Sequence, residues 1–289
     1  MALSASTYGK GRVRVMRLAR DGDHHTPREL NLQVLMKGGF DAAWTAGDNR
    51  ACVATDSVKN IVNVTAAKHV EADKEAFVGH VAAVFLDTYP QVEEVTVEAR
   101  ETRWLRHAFG GEPHGHTFTL DANGVGYVKL VASRGGSVLH SGLRGFTFMK
   151  TTQSGWAGFV DDGYRTLPDT MDRIAATSMD ATWTWSSPPP DYSAANTDVL
   201  AILMEVFGTT YSPSVQDSMY RMGEAALAAV PEIAEIGFAM PNKHYVPINL
   251  TPFGLDNPGT VFLPTDEPHG QIEATIVRTG RPRTGKLPA

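Results

Sequence analysis

The chain has 289 residues, enough for one large or two medium domains with a real hydrophobic core, and an ordinary soluble composition. Twenty-six Lys and Arg against 32 Asp and Glu give a net charge of −6, which argues against a nucleic-acid-binding chain but leaves room for a local basic anion site. The single cysteine, Cys52, excludes an intrachain disulfide and a cysteine-based zinc cluster and fits a reducing compartment. No apolar run reaches the length of a membrane span, and the first residues lack the basic-then-apolar pattern of a secretory signal, so a cytoplasmic protein without membrane contact is expected.

Tyr8 to Leu18 reads as a strand, with Val13 and Val15 on one face and Lys10, Arg12 and Arg14 on the other. Arg28 to Met36 follows as its hairpin partner. Thr55-Asp56-Ser57 is an N-cap cluster ahead of a helix from Val58. Phe77, Val81, Val84 and Phe85 recur at helical spacing between Ala72 and Tyr89, and Pro90 closes that segment. Two long strands come next, Val92 to His107 and Thr117 to Ser133, the second folding on itself at Asp121-Ala-Asn-Gly-Val-Gly126.

After Arg134-Gly-Gly the plan starts again. Strand Ser137 to Thr151 leads through an irregular, aromatic-rich connection, Trp156 to Thr177, into a strand on which Trp183 and Trp185 share a face. A turn at Ser187-Pro-Pro-Pro-Asp191 precedes a helix carrying Val199, Ile202, Leu203 and Val206. The capping box Ser214-Val-Gln-Asp217 opens another, with Met219, Met222, Ala226 and Leu227, ended by Pro231. Strands Glu235 to Leu250 and Gly270 to Arg278 finish the pattern, and the tail from about Gly280 is expected to be disordered. The order strand-strand-helix-helix-strand-strand thus occurs twice, in residues 1–135 and 136–289. It predicts an α+β protein of tandem antiparallel units with helices on one sheet face. The other face is left for solvent, a tunnel or another subunit.

No Gly-rich phosphate loop, zinc-protease helix or nucleophile elbow is present. His114-Gly-His116 lacks a third ligand nearby, and no metal site is expected. The strand Glu235 to Leu250 is more informative. Alternation puts Phe238, Met240, Asn242, His244, Val246 and Ile248 on one face. Asn242 and His244 would then lie roughly 7 Å apart, able to touch opposite ends of one small planar molecule, although two polar residues there could equally serve loop hydrogen bonds. Pro241 and Pro247 mark the strand as an edge or a bulged one. Thr55 and Gln216 fall at predicted helix N-termini, where unpaired N–H groups favour an anion or carbonyl and plain capping is the simpler reading. Arg173 is either a surface ion pair or a clamp for a planar anion. Lys10 reads singly as an exposed strand lysine, and Trp156 as core or as a stacking platform.

Together these residues fall into six collinear blocks: Tyr8-Gly-Lys10, Val53-Ala-Thr-Asp-Ser-Val-Lys-Asn60, Tyr164-Arg-Thr-Leu-Pro-Asp-Thr-Met-Asp-Arg173, Val215-Gln-Asp-Ser-Met-Tyr220, Met240-Pro-Asn-Lys-His-Tyr245 and Gly270-Gln-Ile-Glu-Ala-Thr275. In order and spacing they resemble urate oxidase (uricase) from Tyr8 to Arg278. The resemblance implies the tunnelling fold, in which ββααββ halves form sheets that close a barrel by oligomerisation, giving a homotetramer with active sites at subunit interfaces. It also implies oxidation of urate by molecular oxygen to 5-hydroxyisourate and hydrogen peroxide in purine catabolism, without metal or organic cofactor. Arg173 and Gln216 resemble the clamp on opposite purine edges, and Thr55 with the Asp56 N–H resembles the group reaching the five-membered ring from a neighbouring subunit. Lys10, Thr55 and His244 resemble the catalytic proton relay, in which a lysine kept partly neutral by burial withdraws a proton through the threonine hydroxyl. Asn242, together with Thr55, is similar to the site holding oxygen or water above the ring. Val215, Leu167 and Ile272 match apolar pocket positions.

One departure is Trp156, in Ser154-Gly-Trp-Ala-Gly-Phe159, where the family usually stacks a phenylalanine on urate. The chain also ends Lys-Leu-Pro-Ala rather than with the peroxisomal Ser-Lys-Leu of eukaryotic relatives, so a bacterial cytoplasm is expected. Two other readings stay open: a pterin or purine hydrolase or isomerase on the same fold, and a non-catalytic purine-binding protein.

Overall fold

Leu30, Leu32, Val34 and Met36 alternate with polar Asn31, Gln33 and Lys37, and the chain there is an extended strand whose apolar set is buried and whose polar set is exposed. The computed structural model describes residues 1–278; the tail expected to be disordered from Gly280 lies outside them. Two units divide the chain, Met1–Gly142 with Pro188–Ser193, and Leu143–Ser187 with the chain from Ala194 onward.

In the first unit β1 (Tyr8–Asp21), β2 (His24–Gly38), β3 (Val92–Phe109) and β4 (Glu112–Ser133) pair antiparallel in chain order. Between β2 and β3 come α1 (Asp41–Thr45), α2 (Thr55–Lys68) and α3 (Lys74–Thr88). Asp73 caps α3, its carboxylate accepting from Ala76 N at 2.6 Å. Val58 and Val62 of α2 and Phe77, Val78, Val81 and Phe85 of α3 pack with the inward residues of β2, β3 and β4 into one core. Each such side chain contributes roughly 1.5–3 kcal/mol when fully buried. The opposite sheet face carries Asn31, Gln33 and Arg100 exposed, with Glu98 and Lys129 half-buried. It is hydrophilic, suited to lining a wet space rather than a dry contact.

The second unit repeats the order with β5 (Gly136–Lys150), β6 (Ala175–Trp185), α4 (Tyr192–Thr209), α5 (Val215–Ala229), β7 (Ile233–Pro247) and β8 (Phe262–Val277). β5 lies beside β6, and β6, β7 and β8 pair antiparallel. Trp183 is fully buried and its indole N–H donates to Asn196 Oδ1 at 3.1 Å, satisfying its one polar group. Met219 and Met222 of α5 and Ile236, Phe238 and Met240 of β7 complete this core.

Two local readings change. Asp121 to Gly126 is not a turn on which the strand folds back: β4 continues as one strand, and the register with β3 shifts between Glu101 and Arg103. Arg103 holds the bulge, pairing with the Asp121 carboxylate at 3.0 Å and donating to Asn123 O at 3.0 Å. The reversal between β3 and β4 is made instead by Gly110 and Gly111, both with positive φ. For β7 the edge alternative falls, since it is paired on both sides, and the bulged alternative stands, as the register shift against β8 between Asn242 and His244.

β1 and β2 approach most closely at Gly9, where a Cβ would meet Val34 O at 1.8 Å. Gly9→Ala must therefore push the strands apart beside Tyr8 and Lys10, and should cost about 1–3 kcal/mol in a denaturant unfolding titration. An unchanged midpoint would contradict this account of β1.

Candidate active site

The irregular segment 151–174 of the second unit is fixed by backbone pairing. Trp156 and Thr170 exchange hydrogen bonds at 2.7 and 2.9 Å, Gly155 N donates to Ser212 O at 2.8 Å, and Arg173 N donates to Ser154 O at 2.8 Å. The Arg173 side chain leaves this frame half-buried. Its Nε donates to Gly155 O at 3.1 Å and its Nη1 to Asn242 Oδ1 at 3.3 Å. No carboxylate pairs with it among the described residues, so the surface ion-pair reading falls away. Burial pulls the guanidinium below its usual range, yet it stays charged at neutral pH, which leaves a cation short of an anion.

Asn242 and His244 converge on Arg173. With the Asn242 oxygen turned to Arg173, its amide nitrogen is left to donate elsewhere. His244 is pushed below the ordinary imidazole value by burial first, then by the Arg173 cation and His269. Ile272 pairs in register with Met240, and a side chain at Gly270 would touch both Ile272 and Asn242, so the two are neighbours. Val215 lines a small cavity with Asn242. Ser214 caps α5 by accepting from Asp217 N at 3.1 Å, which places exposed Gln216 in the first turn, among free N–H groups.

Trp156 and Leu167 sit on a lobe of the same segment that Arg165 ties together. Arg165 Nε donates to Leu167 O at 3.0 Å, Nη1 donates to Phe159 O at 3.2 Å, Nη2 pairs with Asp169, and the guanidinium carbon lies 4.8 Å from the Trp156 ring centre. Phe159 stacks on Trp156 with ring centres 4.9 Å apart. Leu167 itself is exposed.

The first unit holds Lys10, Thr55 and Asp56. Thr55 is not a cap: Ala54 holds the N-cap position with no side-chain bond, and Thr55 is the first helical residue, exposed. Its hydroxyl is free of the capping duty expected of it. Tyr8 sets its position, the Tyr8 hydroxyl accepting from Val53 N at 2.7 Å while the ring packs edge-on against Phe40 at 4.9 Å. Burial pushes the Tyr8 phenol up to about 12. The Asp56 carboxyl is held below its usual range by a 2.7 Å bond from Lys59, with Lys10 adding to the effect, so Lys10 lies near the head of α2.

Arg173, Asn242, His244, Val215 and Ile272 are thus brought together in one unit, and Lys10, Thr55 and Asp56 in the other. His114 and His116 are neighbours on β4, their rings 4.5 Å apart, and no group of three metal-capable side chains occurs among the described residues. Reading single residues missed Arg165 and the Gly155 carbonyl. The first is visible as a cation inside an aromatic-rich loop; the second has no side chain to signal it.

Likeness to known proteins places the chain in a family. A family model described as Uricase matches residues 6–129 and 139–273. The chain belongs to the uricase family. It is 36% identical to the uricase of Arthrobacter globiformis over 280 residues, 97% of this chain and 91% of that protein. It is 34% identical to the uricase of Aspergillus flavus over 294 residues, 96% and 97% of the two chains. The crystal structure of the Arthrobacter uricase superposes with a TM-score of 0.93, covering 99% of this chain and 98% of that one. These matches do not favour a pterin or purine hydrolase on the same fold. No helix among the described residues is long and apolar enough to cross a membrane.

If Arg165 holds the lobe as described, Arg165→Ala should leave the global unfolding free energy within about 0.5 kcal/mol while speeding limited proteolysis between Ala157 and Met171 several-fold. Unchanged cleavage would show that the lobe does not depend on it.

Proposed function

We propose that this protein oxidises urate with molecular oxygen to 5-hydroxyisourate and hydrogen peroxide, without metal or organic cofactor, at sites completed by a second copy of the chain in a homotetramer. The observation that carries the reading is Arg173: a half-buried guanidinium with no carboxylate partner among the described residues, bonded to Asn242 beside the imidazole of His244. Urate is a planar anion with adjacent acceptors, the ligand such a fork is built to grip. Gln216, which donates and accepts through one amide, would take the far edge, and Val215, Leu167 and Ile272 the apolar walls. Trp156 would stack on the ring.

In the reaction urate gives up two electrons, oxygen takes these with two protons to leave as peroxide, and the oxygen atom added to the purine comes from water. Triplet oxygen reacts slowly with closed-shell molecules, so the protein's task is to make and hold an electron-rich urate anion against oxygen. Lys10 would draw a proton from urate through the Thr55 hydroxyl, with His244 completing the relay. Thr55 and the Asp56 N–H would meet the five-membered ring, and Asn242 with Thr55 would hold oxygen or water above it. The free hydroxyl of Thr55 at the head of α2 supports this role. The polar outer face of the first unit's sheet supports closure into a tunnel between copies. A reducing, bacterial cytoplasm is the setting we infer, supported by the lone Cys52 and the likeness to the Arthrobacter protein.

The primary test follows oxygen uptake and peroxide release on adding urate, with and without a chelator. Absence of uptake, or loss on chelation with recovery on adding metal, would overturn the proposal. Lys10→Met and Thr55→Ala should each lower kcat by about 10²–10⁴ with urate binding retained. Arg173→Ala should raise KM for urate at least about tenfold, as expected from losing a charge-assisted hydrogen bond of ~1.5–3 kcal/mol. Co-refolding a Lys10→Met chain with an Arg173→Ala chain should produce some sites that combine the wild-type kcat with the wild-type KM for urate, a pair of values neither variant has alone; if no such sites form, the site does not span two copies.

The depressed His244 fixes the sign of a pH effect. Its unfolded value is 6.5 and its folded value lower, so between them the unfolded chain binds more protons and stability rises with pH. The unliganded protein should lose stability as pH falls from about 6.5 through the folded value. His244→Asn should flatten that slope in unfolding titrations across pH.

A further inference from the structure

Beside Val215 and Asn242 lies a cavity within the second unit, most of whose lining takes no part in the proposed grip on the purine or in the relay. Ser154, Thr177, Ser212, Ser218, Val215 and Asn242 are among its walls. Two of these hydroxyls are already used: Ser218 Oγ donates to Ser212 Oγ at 2.6 Å. The other two are not. Ser154 is 1% exposed and Thr177 3% exposed, and neither Ser154 Oγ nor Thr177 Oγ1 has a hydrogen-bond partner among the described protein groups. A buried hydroxyl left unpaired is costly, and native proteins rarely tolerate two in one place. The cavity leaves about 10 Å³ for the centre of a water molecule, the room one water needs. Thr177 faces Asn242 directly across the β6–β7 ladder, so an occupant bonded to Thr177 sits beside the residue whose amide oxygen Arg173 holds.

We propose that this cavity is a binding site for one neutral, water-sized molecule that both donates and accepts hydrogen bonds, that its occupant is water, and that this water steadies the Asn242 amide that lines the cavity. Ala175, Ala176, Phe207 and Met240 complete the lining with apolar surface, and it is the two unpaired hydroxyls that select the occupant. Dioxygen and other apolar gases leave the Ser154 and Thr177 hydroxyls unsatisfied, and an anion finds no cation in the lining. Hydrogen peroxide offers the same donors and acceptors but needs room for a second oxygen. Thr177 and Ser154 are then positioning residues. Arg173 fixes the Asn242 oxygen, the water fixes the plane of the amide, and the nitrogen is aimed where the oxygen molecule is to be held. This consequence rests on assigning Asn242 to the oxygen site; the site itself rests only on the cavity and its two hydroxyls.

Two measurements test this. In a crystal structure fine enough to show ordered water, one spherical peak should lie within about 3.5 Å of both Ser154 Oγ and Thr177 Oγ1. An empty cavity, xenon entering it under pressure, or density that elongates on soaking with hydrogen peroxide would each overturn the assignment. In steady-state assays Thr177→Val, which keeps the shape and removes the hydroxyl, should raise KM for oxygen several-fold and leave KM for urate unchanged, and Thr177→Ser should restore it. Should Thr177→Val fail to fold, Ser154→Ala provides the same comparison. If the folded variants match the wild type in KM for oxygen while the water is lost, the positioning role is wrong. Oxygen uptake by the wild type with urate, measured alongside, tells failure of this proposal from failure of the proposed reaction.

Discussion

A positive charge held partly out of water, with no carboxylate paired to it among the described residues, is the constraint around which the second unit is arranged. Arg173 gives up much of its hydration and receives in return the Gly155 carbonyl and the Asn242 amide oxygen. Neither carries a full negative charge, so the site keeps a standing demand for an anion. The hydrogen bonds through Ser154, Gly155, Trp156 and Ser212 are what prevent the arginine from swinging out to solvent to satisfy itself. Its field also helps to keep His244 uncharged. One cation thereby governs the shape of segment 151–174, the orientation of Asn242 and the protonation of the histidine.

Much of this scaffold was legible in residue order because it rests on local periodicity. The alternation of Leu30, Leu32, Val34 and Met36, the helical spacing of Phe77, Val81 and Phe85, and the Ser214 capping box each express a short-range rule that tertiary structure had no reason to override. Where the reading slipped, long-range pairing decided. Asp121-Ala-Asn-Gly has the composition of a turn, but β3 supplies a continuous partner and Arg103 ties the excess chain into a bulge. Thr55 has the chemistry of a cap, but the helix starts at Thr55 itself, three residues before Val58 and two after Val53, which Tyr8, distant in sequence, holds. β7 carries two prolines and is still paired on both sides, the strain being absorbed in its register with β8.

The candidate residues were found less by individual character than by collinearity. Lys10, Arg173 and Gln216 each have an ordinary surface explanation, and no local pattern separates them from other lysines, arginines and glutamines. What the three-dimensional arrangement adds is grouping: Arg173, Asn242 and His244 interact directly or through their charges, and Lys10 acts on Asp56. It also adds residues whose importance is purely geometric, such as Arg165, whose fork spans the Trp156 ring and the Leu167 carbonyl.

The Tyr8 clasp on Val53 gives the two groups of residues different temperaments. A phenol whose ionisation is pushed up to about 12 stays neutral far into alkali as well as in acid, so the clasp itself carries no charge that pH can change. The imidazole of His244 has no such insulation, being already biased toward losing its proton. Acidification would therefore charge His244 while leaving the Tyr8–Val53 hydrogen bond as it is. Tuning of the protein to a more acid habitat would have to be written into the neighbours of His244 rather than into the Tyr8 clasp.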